Sequence, residues 1–185
     1  MKVTREQAAA NRERILDAAA RLFRERGLDG IGVADLMKDA GLTHGGFYGH
    51  FESKQALMAQ ACERALVRSA ARWRTVREKN GRRALAALLE SYLSKAHLDD
   101  PGAGCALATL GSDIARQGPA VRRGATNGAR ALLGELEEMV PGRTTAARRK
   151  KALALFASIV GGIVLARAVD APLSSEILKA VSESA

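Results

Sequence analysis

Apolar residues recur along this chain at the three- and four-residue spacing of an amphipathic helix, as at Ile15, Ala19, Leu22 and Phe23. No stretch alternates apolar and polar residues for long enough to form a strand. Alanine is abundant, whereas proline occurs four times and aromatic residues make up 4% of the chain. Because alanine favours helices, whereas aromatic and β-branched residues favour strands, the sequence predicts an all-α fold.

The helix boundaries follow from capping and breaking residues. Thr4 and Gln7 have the spacing of a capping box, and Gly27 stands where the first helix should end. Glycine and proline mark later breaks at residues 98–102, 118–119 and 141–143. The nine predicted helices cover approximately residues 5–26, 33–40, 44–50, 54–79, 81–97, 104–116, 119–139, 145–169 and 175–181.

The net charge of +9 is unevenly distributed. Residues 1–54 hold nine Lys and Arg against eight Asp and Glu, whereas residues 55–83 hold eight against two. The excess between Arg64 and Arg83 either attracts an anionic partner or forms a solvated helix face. Charge alone does not choose between these interpretations.

Several classes of protein are excluded or disfavoured. Cys62 and Cys105 are too few for a disulfide framework or a four-cysteine zinc site, and His44 and His50 are six residues apart, which does not suit a helical metal-ligand pair. The apolar stretch at 152–166 is shorter than the ~20 residues that span a bilayer, and the N-terminus lacks a signal-like apolar run. We therefore expect a soluble cytoplasmic protein without metal, cofactor or enzymatic activity.

The strongest functional signal is a turn, Gly41-Leu42-Thr43, between two short predicted helices. Gly41 can adopt a positive φ, which lets the two helices cross steeply. This arrangement, over about residues 32–51, is a helix-turn-helix, whose second helix enters the major groove of DNA.

The second helix carries groups suited to DNA. Tyr48 offers a hydroxyl and a ring, and Lys54 places an ammonium group beside the free N–H groups of the next helix, where a phosphate can lie. Two adjacent glycines weaken the helix but allow the backbone to approach DNA closely. The predicted DNA contacts are Thr43, His44, Gly45, Gly46, Tyr48, His50 and Lys54.

The N-terminal residues resemble the DNA-binding domain of the TetR/AcrR family of transcriptional regulators. The resemblance is carried by residues 15–23 (ILDAAARLF), Arg26-Gly27, 40–51 (AGLTHGGFYGHF) and 53–57 (SKQAL). It implies a three-helix DNA-binding domain at 1–54, and an effector-binding and dimerisation domain at 55–185. It also implies a homodimer that binds a palindromic operator and releases it when a small molecule binds. Gly32 departs from the Ser or Thr usual at this helix start, and we expect fraying there.

Residues 104–112 (GCALATLGS) resemble the start of the sixth helix in a branch of this family that includes cysteine-based sensors of electrophiles. Cys105 lies at a predicted helix N-terminus, which lowers a thiol pKa, but its apolar neighbours suit a packed cysteine. A ligand-responsive repressor, a thiol sensor using Cys105, and a helical interaction protein without specific DNA binding therefore stay open as alternatives.

Two further residue sets are predicted. The apolar effector pocket lies among the helices of the second domain, with Trp73, Leu89, Tyr92, Cys105, Leu107, Leu110 and Met139 as candidate lining. The resemblance places the last two helices at the dimer contact; the alternative for this segment is burial within one subunit. The candidate dimer residues are Phe156, Ile159, Val160, Gly161, Ile163, Val164, Leu173, Ile177 and Leu178.

Overall fold

The computed structural model of the protein describes residues 4–184. In that range the chain folds into nine α-helices without a β-strand, which confirms the predicted fold class. Two short 3-10 helices lie at His44–Gly49 and Gly81–Arg83. The α-helices in chain order are α1 (Arg5–Arg26), α2 (Val33–Asp39), α3 (Lys54–Asn80), α4 (Ala84–Tyr92), α5 (Lys95–Asp99), α6 (Ala106–Arg116), α7 (Pro119–Met139), α8 (Thr145–Ala168) and α9 (Leu173–Glu183).

Both ends of α1 follow the local sequence signals. The Thr4 hydroxyl accepts a hydrogen bond from the Gln7 backbone N–H, and the Gln7 side chain accepts one from the Thr4 N–H, so the predicted capping box is present. Gly27 ends the helix with φ at +79°. Arg24 and Arg26 occupy the last turn, where positive charge complements the helix dipole.

The turn before the third helix is as predicted, but the helix is not. Gly41 has φ at +69°, where a larger side chain would be strained. Instead of an α-helix over residues 44–50, the chain forms the 3-10 helix His44–Gly49. Three of its six residues (HGGFYG) are glycine, which has a weak α-helix propensity, so a short, tighter helix replaces the regular one.

Two aromatic side chains hold this 3-10 helix against α1 and α2. Phe47 is 0% and Phe51 3% exposed, and their rings stack with centroids 5.8 Å apart. They share a buried cluster with Leu22, Phe23 and Leu36. Because burying a side chain of this size contributes about 1.5–3 kcal/mol, a few large residues suffice to fix the segment.

Helix α3 begins at the predicted domain boundary and packs on helices of both predicted domains. Ser53 caps its start by accepting a hydrogen bond from the Ala56 N–H at 3.0 Å. The helix packs on α1 near its beginning and on α7 along its length. One cluster of buried side chains extends from Ile15 to Ile163, so the core is continuous across the predicted division after residue 54.

Helices α3 and α7 run side by side in the same direction and touch at two glycines. A Cβ on Gly124 would stand 2.3 Å from the Ala59 carbonyl oxygen, and one on Gly128 would stand 2.3 Å from Leu66 Cβ. Both distances are far below van der Waals contact. The absence of a side chain at each position therefore sets the closest approach of the two helices.

The segment between residues 81 and 106 departs most from the sequence prediction. A single helix is predicted over 81–97, but α4 ends at Tyr92 and α5 begins after Ser94, whose hydroxyl accepts a hydrogen bond from the His97 N–H. This serine cap lies inside a stretch whose apolar spacing is still helical, so periodicity hides the break. Cys105 becomes the N-cap of α6, which starts two residues later than predicted.

Helix α8 is long and apolar enough, by length and composition, to cross a membrane, with a mean hydropathy of 1.7 over its most apolar window. In the folded chain it packs against α6, α7 and α9, and 33% of that window is buried. The Ser174 hydroxyl donates a hydrogen bond to the Ala166 carbonyl at 2.8 Å and so fixes α9 on α8. The apolar residues of α8 therefore serve partly as core, and the others lie on an exposed face of the helix.

Candidate nucleic-acid interface and effector cavity

The 3-10 helix presents one face away from the core. Tyr48 is 71% exposed, and within residues 4–184 no atom other than those of the adjacent residues and of the helix's own backbone lies within 4 Å of the position that a Cβ on Gly45 would take. His50 and Lys54 are half-buried at the edge of this face. The structure thus brings all seven predicted contacts to one segment, with Thr43, His44, Gly45, Gly46 and Tyr48 exposed.

Neighbouring elements fix the orientation of this face. The Tyr48 ring packs edge-on against Phe47 with centroids 5.2 Å apart, which leaves its hydroxyl in solvent. Lys54 is the first residue of α3, next to the N–H groups that the helix leaves free at its start. Hydroxyl, imidazole, ammonium and backbone N–H groups together are suited to phosphates and base edges.

A cavity of about 430 Å³ lies between α3, α4 and the segment from Ser94 to Cys105. Three of the predicted pocket residues, Trp73, Tyr92 and Cys105, line it. This volume lies within the ~300–1,000 Å³ typical of small-molecule sites. The other lining residues are Ser69, Arg72, Val76, Leu88, Ser91, Ser94, Ala96, His97, Asp100, Ala103 and Gly104.

The other four predicted pocket residues do not line this cavity. Leu89 and Leu110 are 7% and 2% exposed within the common core, and Leu107 and Met139 are half-buried against it. Apolar character alone does not separate a wall residue from a core residue. Sequence reasoning missed the polar wall, because its members lie on three elements whose packing no local pattern reveals.

His97 braces the wall of the cavity. Its Nε2 accepts a hydrogen bond from the Cys105 N–H at 2.9 Å, so the ring proton stands on Nδ1, which donates to the Tyr92 carbonyl at 2.5 Å. Burial lowers the pKa of His97; the hydrogen bond to the Tyr92 carbonyl opposes this, and the charges of Arg167 and Arg72 add to it. The imidazole is therefore held neutral as a strut between α5 and the start of α6.

The Tyr92 hydroxyl and the Cys105 thiol are neighbours on the wall of this cavity. The Tyr92 hydroxyl is buried and has no hydrogen-bond partner. Its burial, and then the nearby Cys105 thiol, raise the pKa of the phenol. Cys105 is itself 4% exposed, so any reagent would have to reach it through the cavity. Cys62 lies elsewhere, within α3, where burial raises its pKa to about 12.

Direct hydrogen bonds join the N-terminal helices to the cavity segment and to α6. Arg24 of α1 donates from Nε to the Gly102 carbonyl at 2.7 Å. The Leu28 N–H, just after α1, donates to Asp113 Oδ2 of α6 at 3.1 Å. Movement at the cavity therefore has two short routes to the helices that support the 3-10 helix.

From Leu153 onward, the outer face of α8 is uncharged and mostly apolar. Leu153, Val164 and Leu165 on this helix are 46%, 44% and 56% exposed, and Leu173 at the start of α9 is 49% exposed. Exposed large apolar side chains in one stripe are typical of an interaction surface. We call this stripe the α8 face; it comprises residues 153, 154, 157, 158, 161, 164, 165 and 168.

The candidate dimer residues fall into two groups. Phe156, Ile159 and Ile163 are 9%, 0% and 0% exposed inside the chain, which favours for these three the alternative of burial within one subunit. The helical period turns them toward the core, opposite the α8 face. Val164 and Leu173 are exposed, and Val160, Gly161, Ile177 and Leu178 are half-buried.

The basic stretch from Arg64 to Arg83 is partly compensated within the chain. Four of its eight cationic side chains form ion pairs, which favours a solvated face for that half of the excess. The pairs join Arg64 to Glu13 and Asp17, Arg68 to Asp17, and both Arg74 and Arg77 to Glu135. Within residues 4–184, no three His, Cys, Asp or Glu side chains are grouped as metal ligands.

Comparison with known proteins identifies relatives of the N-terminal part. The sequence model of a family described as "Bacterial regulatory proteins, tetR family" matches residues 15–61. The HTH-type transcriptional regulator AcrR of Shigella flexneri is 37% identical over 60 residues, 32% of this chain and 28% of that protein. The HTH-type transcriptional repressor KstR2 of Mycolicibacterium smegmatis is 37% identical over 57 residues, 31% of this chain and 28% of that protein. The chain thus matches just over a quarter of the length of these two relatives.

Solved structures match over nearly the whole chain. The reduced form of Escherichia coli NemR matches with a TM-score of 0.78 at 21% sequence identity. The match covers 94% of this chain and 96% of the NemR chain. A TetR-family regulator from Agrobacterium tumefaciens has a TM-score of 0.76 at 20% identity and covers 96% and 98%. At this identity the likeness establishes the fold, including that of the C-terminal helices.

Proposed function

We propose that this chain, whose residues 15–61 match the tetR family of bacterial regulatory proteins, is a transcriptional repressor of that family that binds operator DNA and leaves it when a small molecule occupies the cavity. The observation that carries the proposal is the exposed face of the 3-10 helix, with Tyr48 71% in solvent. The helix-turn-helix, residues 32–51, is its reading unit, within a DNA-binding domain at 1–54.

The proposed DNA contacts divide by role. Thr43, His44 and Tyr48 point to base edges and the phosphates that flank them, because they are the exposed side chains of the 3-10 helix. Lys54 and the free N–H groups of α3 bind a phosphate and fix the register. Gly45 has open space around it, so its role is to let the DNA come close.

The proposed active form is a homodimer. The α8 face and Leu173 supply an apolar surface of the kind that subunit contacts bury. Two copies related by a two-fold axis would present two 3-10 helices to successive major grooves, about 34 Å apart. An operator read in this way is palindromic.

Effector control requires that the protein with an occupied cavity and the protein with an empty one favour different positions of the two 3-10 helices that contact DNA. The Arg24–Gly102 and Leu28–Asp113 hydrogen bonds support this coupling, since they join α1 and the turn just after it to elements at or beside the cavity. A ligand that displaces the 100–105 segment thereby acts on α1.

The test begins with selection of operator sequences from a random DNA pool by the full chain. Tyr48→Ala should weaken binding to the selected palindrome about tenfold or more, through loss of a groove contact. Lys54→Ala should weaken binding to all sequences and reduce the salt slope by about one.

Lys79→Ala is the matched control, because it removes the same charge from the far end of α3, and it should leave operator affinity unchanged. Failure to enrich any palindrome, or full affinity in Tyr48→Ala, would contradict the proposal.

Two alternatives are less supported. The relatives above are transcriptional regulators, which does not favour a helical interaction protein without specific DNA binding. A thiol sensor requires Cys105 to react, and the side chain is 4% exposed. Treatment with N-ethylmaleimide followed by measurement of operator release distinguishes the cases: release in the wild type but not in Cys105→Ser would support the thiol sensor, and equal behaviour would exclude it.

A further inference from the structure

A second cavity adjoins the first on the side of α1. It has a volume of about 390 Å³ and shares Arg72, Asp100 and Ala103 with the first cavity as a common wall. Arg24 lines the second cavity only, and Trp73 the first only. We call the second cavity the cleft and the first cavity the chamber. A ligand that extends from one into the other would touch both the charged side chains of the cleft and the apolar side chains of the chamber.

The charges in this cleft do not cancel. Its carboxylates Asp17 and Glu25 are already paired, with Arg64 and Arg68 and with Arg21 respectively. Among residues 4–184, Arg24 and Arg72 have no ion-pair partner within 4.0 Å: Arg24 donates to the Gly102 carbonyl, and Arg72 donates to the Ser69 hydroxyl at 2.8 Å. Two guanidinium groups therefore face the cleft without a carboxylate bound to either.

The remaining carboxylate of the cleft is Asp100. Its Oδ1 accepts a hydrogen bond from the Ala103 N–H at 2.9 Å, which fixes the turn rather than an arginine. The electrostatic effect of the excess is visible in the neighbours: burial and then the charge of Arg72 lower the pKa of Arg24, although Asp100 opposes this. A buried positive charge repelled by a second one is stabilised by an added anion.

The first cavity offers complementary apolar surface. Trp73 and Leu88 are 6% and 2% exposed, and the Trp73 ring packs edge-on against Tyr92. The Tyr92 hydroxyl is buried and has no hydrogen-bond partner in the described part of the chain, which leaves one polar atom for a ligand to satisfy. A compact apolar body with one hydrogen-bonding atom matches this chamber.

We propose that the effector is a small, largely apolar carboxylate, whose anionic group lies between Arg24 and Arg72 and whose body fills the chamber beside Trp73 and Tyr92. The regulatory role of this ligand rests on the proposed function, whereas its binding to the protein does not, since binding requires no DNA. Because Arg24 belongs to α1, the carboxylate would compete with the Gly102 carbonyl for the same guanidinium and so act directly on the helix that supports the reading head.

The test uses the full chain, without DNA, and a panel of probes: benzoate, 2-naphthoate and octanoate, each beside its neutral primary amide. Trp73 is the single tryptophan of the chain and lines the chamber, so its fluorescence reports occupancy, and thermal shift gives a second readout. At least one carboxylate should bind about tenfold or more tightly than its amide.

Arg72→Gln should abolish the preference for the carboxylate over the amide. Arg68→Gln is the matched control: it lines the same cleft but is paired with Asp17, and it should retain the preference. Tyr92→Phe should weaken binding of 6-hydroxy-2-naphthoate more than that of 2-naphthoate.

Three outcomes would overturn the inference: no carboxylate of the panel binds, amides bind as well as acids, or inorganic phosphate binds as tightly as the best carboxylate. Operator binding is measured separately. Carboxylate binding without a selectable operator would contradict the repressor and leave this site standing. Operator binding without carboxylate binding would do the reverse.

Discussion

We expect Gly45 to matter for operator binding and not for the stability of the fold. Nothing stands within 4 Å of its would-be Cβ, so the fold does not require glycine here. Gly45→Ala should therefore leave thermal stability unchanged or raise it by up to about 1 kcal/mol, since alanine restricts the unfolded chain more. Operator affinity should nevertheless fall, because the methyl group would stand between the backbone and the groove.

The control for Gly45→Ala is Gly134→Ala, another glycine with open space, on α7 and far from the 3-10 helix in sequence. That variant should gain stability and keep operator affinity. Unchanged affinity in Gly45→Ala would show that the backbone does not approach the DNA at this point.

His97 makes the free energy of unfolding of the protein depend on pH. Its pKa is lowered in the fold by burial, whereas in the unfolded chain it protonates as the pH falls below about 6.5. Unfolding then takes up a proton, so the contribution of the neutral ring is complete above that pH and is lost as the pH falls from there toward the folded pKa. Urea unfolding of the wild type should show a larger stability loss from pH 7.5 to 5.5 than that of His97→Gln; equal losses would contradict a buried neutral imidazole.

At the residue scale, motif position predicted exposure better than chemical type did. Tyr48 and Lys54 follow from their places in a local pattern, and local patterns are written in consecutive residues. Leu110 and Trp73 are both apolar and both near the cavity helices, yet only Trp73 lines the cavity. That difference depends on how α3, α4 and α6 are rotated against one another, which the sequence does not state locally.

At the scale of elements, helix ends were predictable where side chains cap them in isolation. Thr4, Ser53 and Thr144 each accept a hydrogen bond from a backbone N–H three residues later. The break at Ser94 was missed, because the apolar spacing continues across it. The 3-10 form of the third helix does not follow from the sequence, because the low helix propensity of Gly45 and Gly46 suits both a weak α-helix that DNA approaches closely and a tighter 3-10 helix.

The contact between α3 and α7 supports a prediction about packing. Gly128→Ala should destabilise the fold by about 1–3 kcal/mol, because its methyl group would stand 2.3 Å from Leu66 Cβ and force the helices apart. Gly134→Ala, on the same helix with open space, should instead stabilise by about 0.5–1 kcal/mol. Chemical denaturation of both variants measures the contrast; similar changes in the two would contradict the close-contact explanation.

At the scale of the whole molecule, the α8 face predicts association. Leu165→Glu introduces a charge at a side chain that is 56% exposed in the single chain and should convert the proposed dimer into a folded monomer. Sedimentation analysis gives the mass, and circular dichroism checks the fold. Operator affinity should fall with the dimer, because one reading head makes half the contacts.

The matched control is Val67→Glu, a substitution at another exposed apolar residue, 46% exposed on α3 and outside the α8 face. It should leave the dimer intact. A monomeric wild type, or a dimeric Leu165→Glu variant, would place the subunit contact elsewhere or remove it.

The hydrogen bond between Arg24 and the Gly102 carbonyl also bears on the cell that holds this protein. The coupling between the two sites is reciprocal. If the bound effector lowers the affinity for the operator by some factor, the bound operator lowers the affinity for the effector by the same factor. On the proposed mechanism, a molecule seated on its operator therefore senses a higher threshold concentration than a molecule free in solution. The number of operator copies, relative to protein copies, then becomes part of the dose response.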